Sequence, residues 1–171
     1  VVVDGTKPGT PKCSSNPADQ DYGPLNAGNP VGRNGVEVFE TDGVTVDNLT
    51  ACNFLNGHGG GNQIWFNGGD GSGTVGMGSY RGAYLSATTT YYEDGHPKGE
   101  YGIFVSNAGG PGLIDRTYAS NMADSSYYIG ACPDCQTWLI NAHAQGSDRA
   151  TDQPSLMLFT SPEFLLVFLP L

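Results

Sequence analysis

The chain has 171 residues, room for one domain of ordinary size. Seventeen Asp and Glu against seven Lys and Arg give a net charge of −10, which repels nucleic-acid phosphates and anionic lipids, and acidic polysaccharides unless cations bridge the two. Twenty-six glycines and eleven prolines would suit a linker, but nine Tyr, seven Phe and two Trp exclude a disordered one and point to an all-β chain rich in turns.

Residues 1–34 carry Pro or Gly every few positions without an apolar period, so they read as a long irregular loop, with Val1–Val3 able to form a preceding strand. From Asn34 the pattern changes to short β-forming runs: 35–39, 42–46, 63–66, 74–77, 83–92, 101–105, 112–119, 126–130 and 137–144. Gly, Asn, Asp and Ser separate them, and no stretch sustains the helical period. DNLTACNF from Asp47 and DRTYASNM from Asp115 agree at Asp47/Asp115, Ala51/Ala119 and Asn53/Asn121, 68 positions apart, and NGVEV and YGIFV before them correspond at an offset of 67. Such self-similarity marks stacked repeats that bury their inward residues only against one another. Asn tolerates the left-handed backbone of a corner, and stacked Asn amides are expected to ladder there. The reading is an all-β parallel solenoid over 35–145. Residues 146–171 are an atypical apolar tail, an artificial end or a cap, too short and interrupted for a membrane span. The chain opens without Met or a signal peptide, as a processed chain or a fragment would.

Four cysteines, Cys13, Cys52, Cys132 and Cys135, suggest disulfides in an oxidising compartment, with three pairings open. CPDC (132–135) has CxxC spacing without the βαβ setting of a redox motif, so a local disulfide or two separate bridges to Cys13 and Cys52 are the expectations. Gly-rich 67–73 lacks the GK[ST] of a phosphate loop. NLT (48–50) is a glycosylation sequon that matters only in a eukaryotic host.

The segments 34–57, 62–92, 101–112, 117–132 and INAHAQ at 140–145 resemble actinobacterial secreted proteins of the right-handed parallel β-helix repeat type, within a superfamily similar to pectate lyases and polygalacturonases. The likeness covers roughly residues 1–145. It implies an extracellular β-helix, here incomplete because such proteins are longer, and it implies little chemistry. Lyase-like sites use acidic residues to hold calcium and an Arg or Lys as base. The candidates are Asp115 and Arg116 for catalysis, with Asp47, Asp70 and Asp115 as calcium ligands and calcium the one cofactor considered. Arg81 is a second basic candidate, grouped with Tyr91 and Tyr92 as substrate-binding. The bland reading gives Asp115 a turn-capping role and Arg116 a neighbouring carboxylate. His58 in GHG matches a short polygalacturonase motif, but the partner carboxylate motifs are absent. Tyr80, Tyr84, Trp65 and Phe66 extend the list of aromatic residues able to stack on sugars, of which about half should point inward.

The function expected is extracellular binding or processing of a polysaccharide, by a lyase or glycoside hydrolase if an enzyme. The alternative is a non-catalytic surface or structural solenoid, an adhesin or cell-wall scaffold. An enzyme requires a basic residue and two carboxylates converging on one groove. A scaffold predicts scattered charges and a flat aromatic or Thr-rich face.

Overall fold

The computed structural model describes residues 1–57, 60–69, 76–91, 93, 96–131 and 136–146. Its strands are β1 (Val2–Asp4), β2 (Leu25–Asn26), β3 (Asn29–Pro30), β4 (Val36–Phe39), β5 (Val44–Cys52), β6 (Ile64–Asn67), β7 (Tyr80–Thr88), β8 (Gly99–Ser106), β9 (Gly112–Ser120), β10 (Met122–Gly130) and β11 (Thr137–Gln145). Among the described residues the only helical element is a single 3₁₀ turn, Pro17–Asp19, capped by the Asn16 side chain. The molecule is all-β and mostly parallel.

From β4 onward the strands alternate between two parallel sheets. One runs β1-β5-β7-β9-β11, the other β10-β8-β6-β4, and neither closes on itself. A small antiparallel pair, β2-β3, sits in the N-terminal segment. The expected run at 74–77 lies partly outside the described residues, and Gly76 and Met77 belong to no strand.

Register explains the sequence echo. Asp47 pairs with Ala83 and Ala83 with Asp115, so the 68-residue repeat spans two steps across the five-stranded sheet. The same register aligns Val3, Ala51, Ala87, Ala119 and Ala144 in one inward row. At Ala119 the packing leaves little room, for a Cβ added to the neighbouring Gly102 would fall 2.8 Å from the Ala119 Cβ. Between the sheets lie Ile64, Phe66, Leu85, Ile103, Val105, Ile114 and Tyr127, all nearly fully buried. Phe66 and Tyr80 are therefore core residues, not sugar-stacking ones, and they pack ring to ring at 5.5 Å. Tyr80 lies against Gly112, where an added Cβ would fall 2.0 Å from its ring.

Each long strand of the five-stranded sheet bends once, at a residue of positive φ. Asn48, Tyr84, Arg116 and Asn141 have φ of 52°, 51°, 51° and 49°, and each follows a register-matched residue, Asp47, Ala83, Asp115 and Ile140. Left-handed geometry disfavours a Tyr or Arg, so no sequence pattern marks this row.

The Asn corner forms, but differently from the expected ladder. Asn53 and Asn121 both have φ 60°, yet Thr89 and Thr90, just after the end of β7, lie between them. The Asn53 side chain donates to Thr90 Oγ1 (2.8 Å) and accepts from the Thr90 N–H (2.8 Å), while Asn121 donates to the Thr89 carbonyl (2.9 Å). The amides bond the intervening Thr residues, not each other.

A disulfide joins Cys13 to Cys52. This corrects the alternative in which these two bridge separately to the CPDC pair. Cys132 and Cys135 lie outside the described residues, as does the apolar tail from residue 147 onward.

Candidate functional site

The four-stranded sheet turns one side of each strand to the core and the other outward. The register places Glu37, Trp65, Phe104 and Tyr128 in a single outward row across β4, β6, β8 and β10. Adjacent parallel strands are about 4.8 Å apart, and the rings follow that spacing. Trp65 stacks on Phe104 with centroids 5.0 Å apart, and Phe104 meets Tyr128 edge to face at 5.1 Å. Tyr101 closes the cluster at 4.6 Å from Phe104 and 5.3 Å from Tyr128. All four rings are half-buried. The result is one aromatic strip across a parallel sheet.

Polar groups fix and frame it. The Trp65 indole N–H donates to Ser106 Oγ at 2.8 Å. Asn67 and Asn34 donate to the two carboxylate oxygens of Glu37, at 2.9 and 3.3 Å. Asn56 donates to Glu100 at 3.2 Å. The Tyr101 hydroxyl donates to Asp124 at 3.3 Å, and Ser125 to the other Asp124 oxygen at 2.7 Å. Burial, reinforced by the negative charges of Asp124 and Glu100, pushes the Tyr101 phenol up to about 12, so it remains a neutral donor across ordinary pH.

The residues proposed from sequence fall elsewhere. Asp115 and Arg116 sit at the strand bend of the five-stranded sheet and form an ion pair with each other. Asp115 is buried and also accepts a hydrogen bond from Asn141 at 2.9 Å. The Arg116 guanidinium lies over the Tyr84 ring, 5.4 Å from its centroid. Asp47 is exposed in the same register row as Asp115 but two strands away, so their backbones are about 10 Å apart. A calcium ion binds oxygens at about 2.5 Å, and both Asp115 oxygens are already engaged by Arg116 and Asn141. Asp70 lies outside the described residues, as do Tyr92 and His58.

Arg81 is half-buried in the row Thr45, Arg81, Leu113, Trp138 on the opposite sheet. Tyr91 is in a loop, where its hydroxyl donates to Glu93 and its ring meets His96 edge-on at 5.0 Å. The structure therefore brings Asp115 and Arg116 together, but not with Tyr91, Arg81 or Asp47.

Among the described residues one group has metal-ligand proximity: Asp4, Cys13 and Cys52. Its sulfurs are joined as a disulfide and so offer no thiolate. Burial works against ionisation of Asp4, but donation from the Thr6 N–H and hydroxyl and the Cys13 N–H outweighs it and holds the carboxyl below its usual range. The carboxylate is a structural acceptor at the disulfide.

Trp65 was visible as an aromatic candidate, whereas Phe104, Tyr101 and Tyr128 were not. The available signal was the outward phase of QIWF, YGIFV and SYYIG, and it becomes a surface only once the register is known. No family model, no curated protein and no solved structure matches the chain, so the geometry carries the functional reading.

Proposed function

We propose that the chain is a secreted right-handed parallel β-helix whose four-stranded sheet binds polysaccharide. Strand alternation between two parallel sheets supports the solenoid, as do left-handed bends recurring at register-matched positions. The Cys13–Cys52 disulfide supports an oxidising, extracellular setting. The observation that carries binding is the outward strip of Trp65, Phe104, Tyr128 and Tyr101, framed by hydrogen-bonding side chains. Aromatic rings supply rigid apolar area for sugar C–H faces, and the frame supplies partners for hydroxyls.

Binding without cleavage is the version favoured. The Arg116 guanidinium is engaged by a buried carboxylate and a ring face, so it does not stand free over a groove as a lyase base would. A cell-wall-attached scaffold would use the same face.

Affinity electrophoresis through gels containing hydroxyethylcellulose, glycol chitin, glycol chitosan or polygalacturonate tests the reading. At least one should retard the protein, and Trp65→Ala with Phe104→Ala should abolish retardation while the circular dichroism spectrum is kept. Unchanged mobility in all four gels, or equal retardation of the variant, refutes it.

A further inference from the structure

The two halves of the Cys13–Cys52 disulfide are not equally open to solvent. Cys52, at the end of β5, is fully buried, whereas Cys13 stands half-buried in the N-terminal loop. Two oxygens face the buried sulfur. Asp4, the register partner of Cys52 on β1, places Oδ1 3.5 Å from its Sγ, and the Val3 carbonyl oxygen lies at 3.8 Å. The Asp4 carboxylate and both sulfurs lie within 4.8 Å of one another. The groups that donate to Asp4 are neutral, namely the Thr6 N–H and hydroxyl and the Cys13 N–H. They favour its charged form, and exposed Lys12 adds a weaker attraction.

We infer that Asp4 is an electrostatic guard of this disulfide. The bond opens to thiols at Cys13 Sγ alone, and slowly, because Asp4 repels both the attacking thiolate and the thiolate that leaves at Cys52. In that exchange the external sulfur bonds to Cys13 Sγ and the Sγ–Sγ bond breaks. Its electron pair stays on Cys52 Sγ, which takes a proton from water. A second external thiolate then frees Cys13, so two external thiols are oxidised to their disulfide and the protein keeps two thiols. Burial closes Cys52 Sγ to direct attack. A sulfur leaves faster the lower its proton affinity, and burial against a carboxylate raises that of Cys52. A charge this close changes a neighbouring group's proton affinity by about 10–1000-fold. Exchange rates follow roughly the square root of such changes, so the guard slows reduction by about tenfold. This role is independent of the saccharide face on the other sheet.

The test is the rate at which thiols open the bond in the folded full chain. Alkylation and mass mapping of the Cys13 and Cys52 peptides follow it and separate it from the CPDC pair. Cysteamine, 2-mercaptoethanol and mercaptoethanesulfonate supply a cationic, a neutral and an anionic thiol, with rates referred to thiolate concentration. The mixed disulfide should form at Cys13. Asp4→Asn should raise the rate by about tenfold with the anionic thiol and by less with the cationic one. Asp47→Asn removes an equal charge from an exposed site elsewhere, and Thr6→Val removes a donor to Asp4 while keeping its charge. Both should stay near the wild-type rate. Circular dichroism checks that each variant is folded, and Asp4→Ser, a smaller neutral acceptor, takes the place of Asp4→Asn if that variant unfolds. A mixed disulfide at Cys52 overturns the guard. So does a neutral Asp4 variant whose rate is unchanged, or is raised equally for all three thiols, or is matched by Thr6→Val. A rate independent of thiol concentration also overturns it, since the bond would then open only after unfolding.

Discussion

Replacing Cys13 and Cys52 together with alanine opens a loop whose ends are 39 residues apart and which contains all of β4 and nearly all of β5. Closing a loop of that length restricts the unfolded chain by about 4 kcal/mol in the chain-entropy treatment. The native segment has other anchors. The Cys13 N–H donates to Asp4 at 2.9 Å, and the Ser14 carbonyl accepts from Asn53 at 3.2 Å and Thr90 at 2.8 Å. Arg33 pairs with Asp21 at 3.3 Å and donates to the Gly5 carbonyl at 2.6 Å. The double variant should therefore keep the folded geometry and lose stability mainly through its freer unfolded state. For a chain of this size each kcal/mol moves the melting temperature by about 2–4 °C, so the drop should be about 8–16 °C. Urea unfolding followed by circular dichroism measures the same loss at constant temperature. A loss below about 1 kcal/mol with an unchanged denaturant slope would show that the unfolded chain is not restricted by this bridge, and the entropic argument would fail.

Asn53 is fully buried at φ 60° and binds Thr90 and Ser14. Asn53→Ala adds left-handed strain of about 1–2 kcal/mol and leaves buried groups unpaired at about 1–3 kcal/mol, whereas Asn53→Gly removes only the bonds. The alanine variant should be the less stable in urea; the reverse order would contradict the corner geometry. Burial pushes the Tyr127 phenol up to about 12, despite hydrogen bonds to Thr117 at 3.0 Å and to the His143 carbonyl at 3.1 Å that oppose the rise. Its folded value lies above the unfolded one near 10, so its contribution is complete below about pH 10 and is lost as pH rises through about 12. Tyrosinate absorbance should show Tyr101 and Tyr127 ionising late, and Tyr127→Phe should remove one of these late steps; a wild type in which all tyrosines ionise near pH 10 would refute the burial.

The amino-acid sequence by itself determined the all-β class, the positions of nearly all the long strands and the repeat linking Asp47 to Asp115. Period-two patterning and turn residues are local properties, and stacking makes them recur. It also carried Trp65 as a candidate and marked Asn53 and Asn121 as corner residues. The tertiary structure decided what adjacent strands bring together. Only register aligns Trp65 with Phe104, 39 residues away, and Phe104 with Tyr128, 24 residues away, and only packing turns Phe66 and Tyr80 inward. The left-handed bends at Tyr84 and Arg116 had no local mark, because neither residue favours that backbone and the sheet imposes it. The same bend joins Asp115 to Arg116 as an ion pair, which moved the candidate site from those two residues to the aromatic strip on the other sheet.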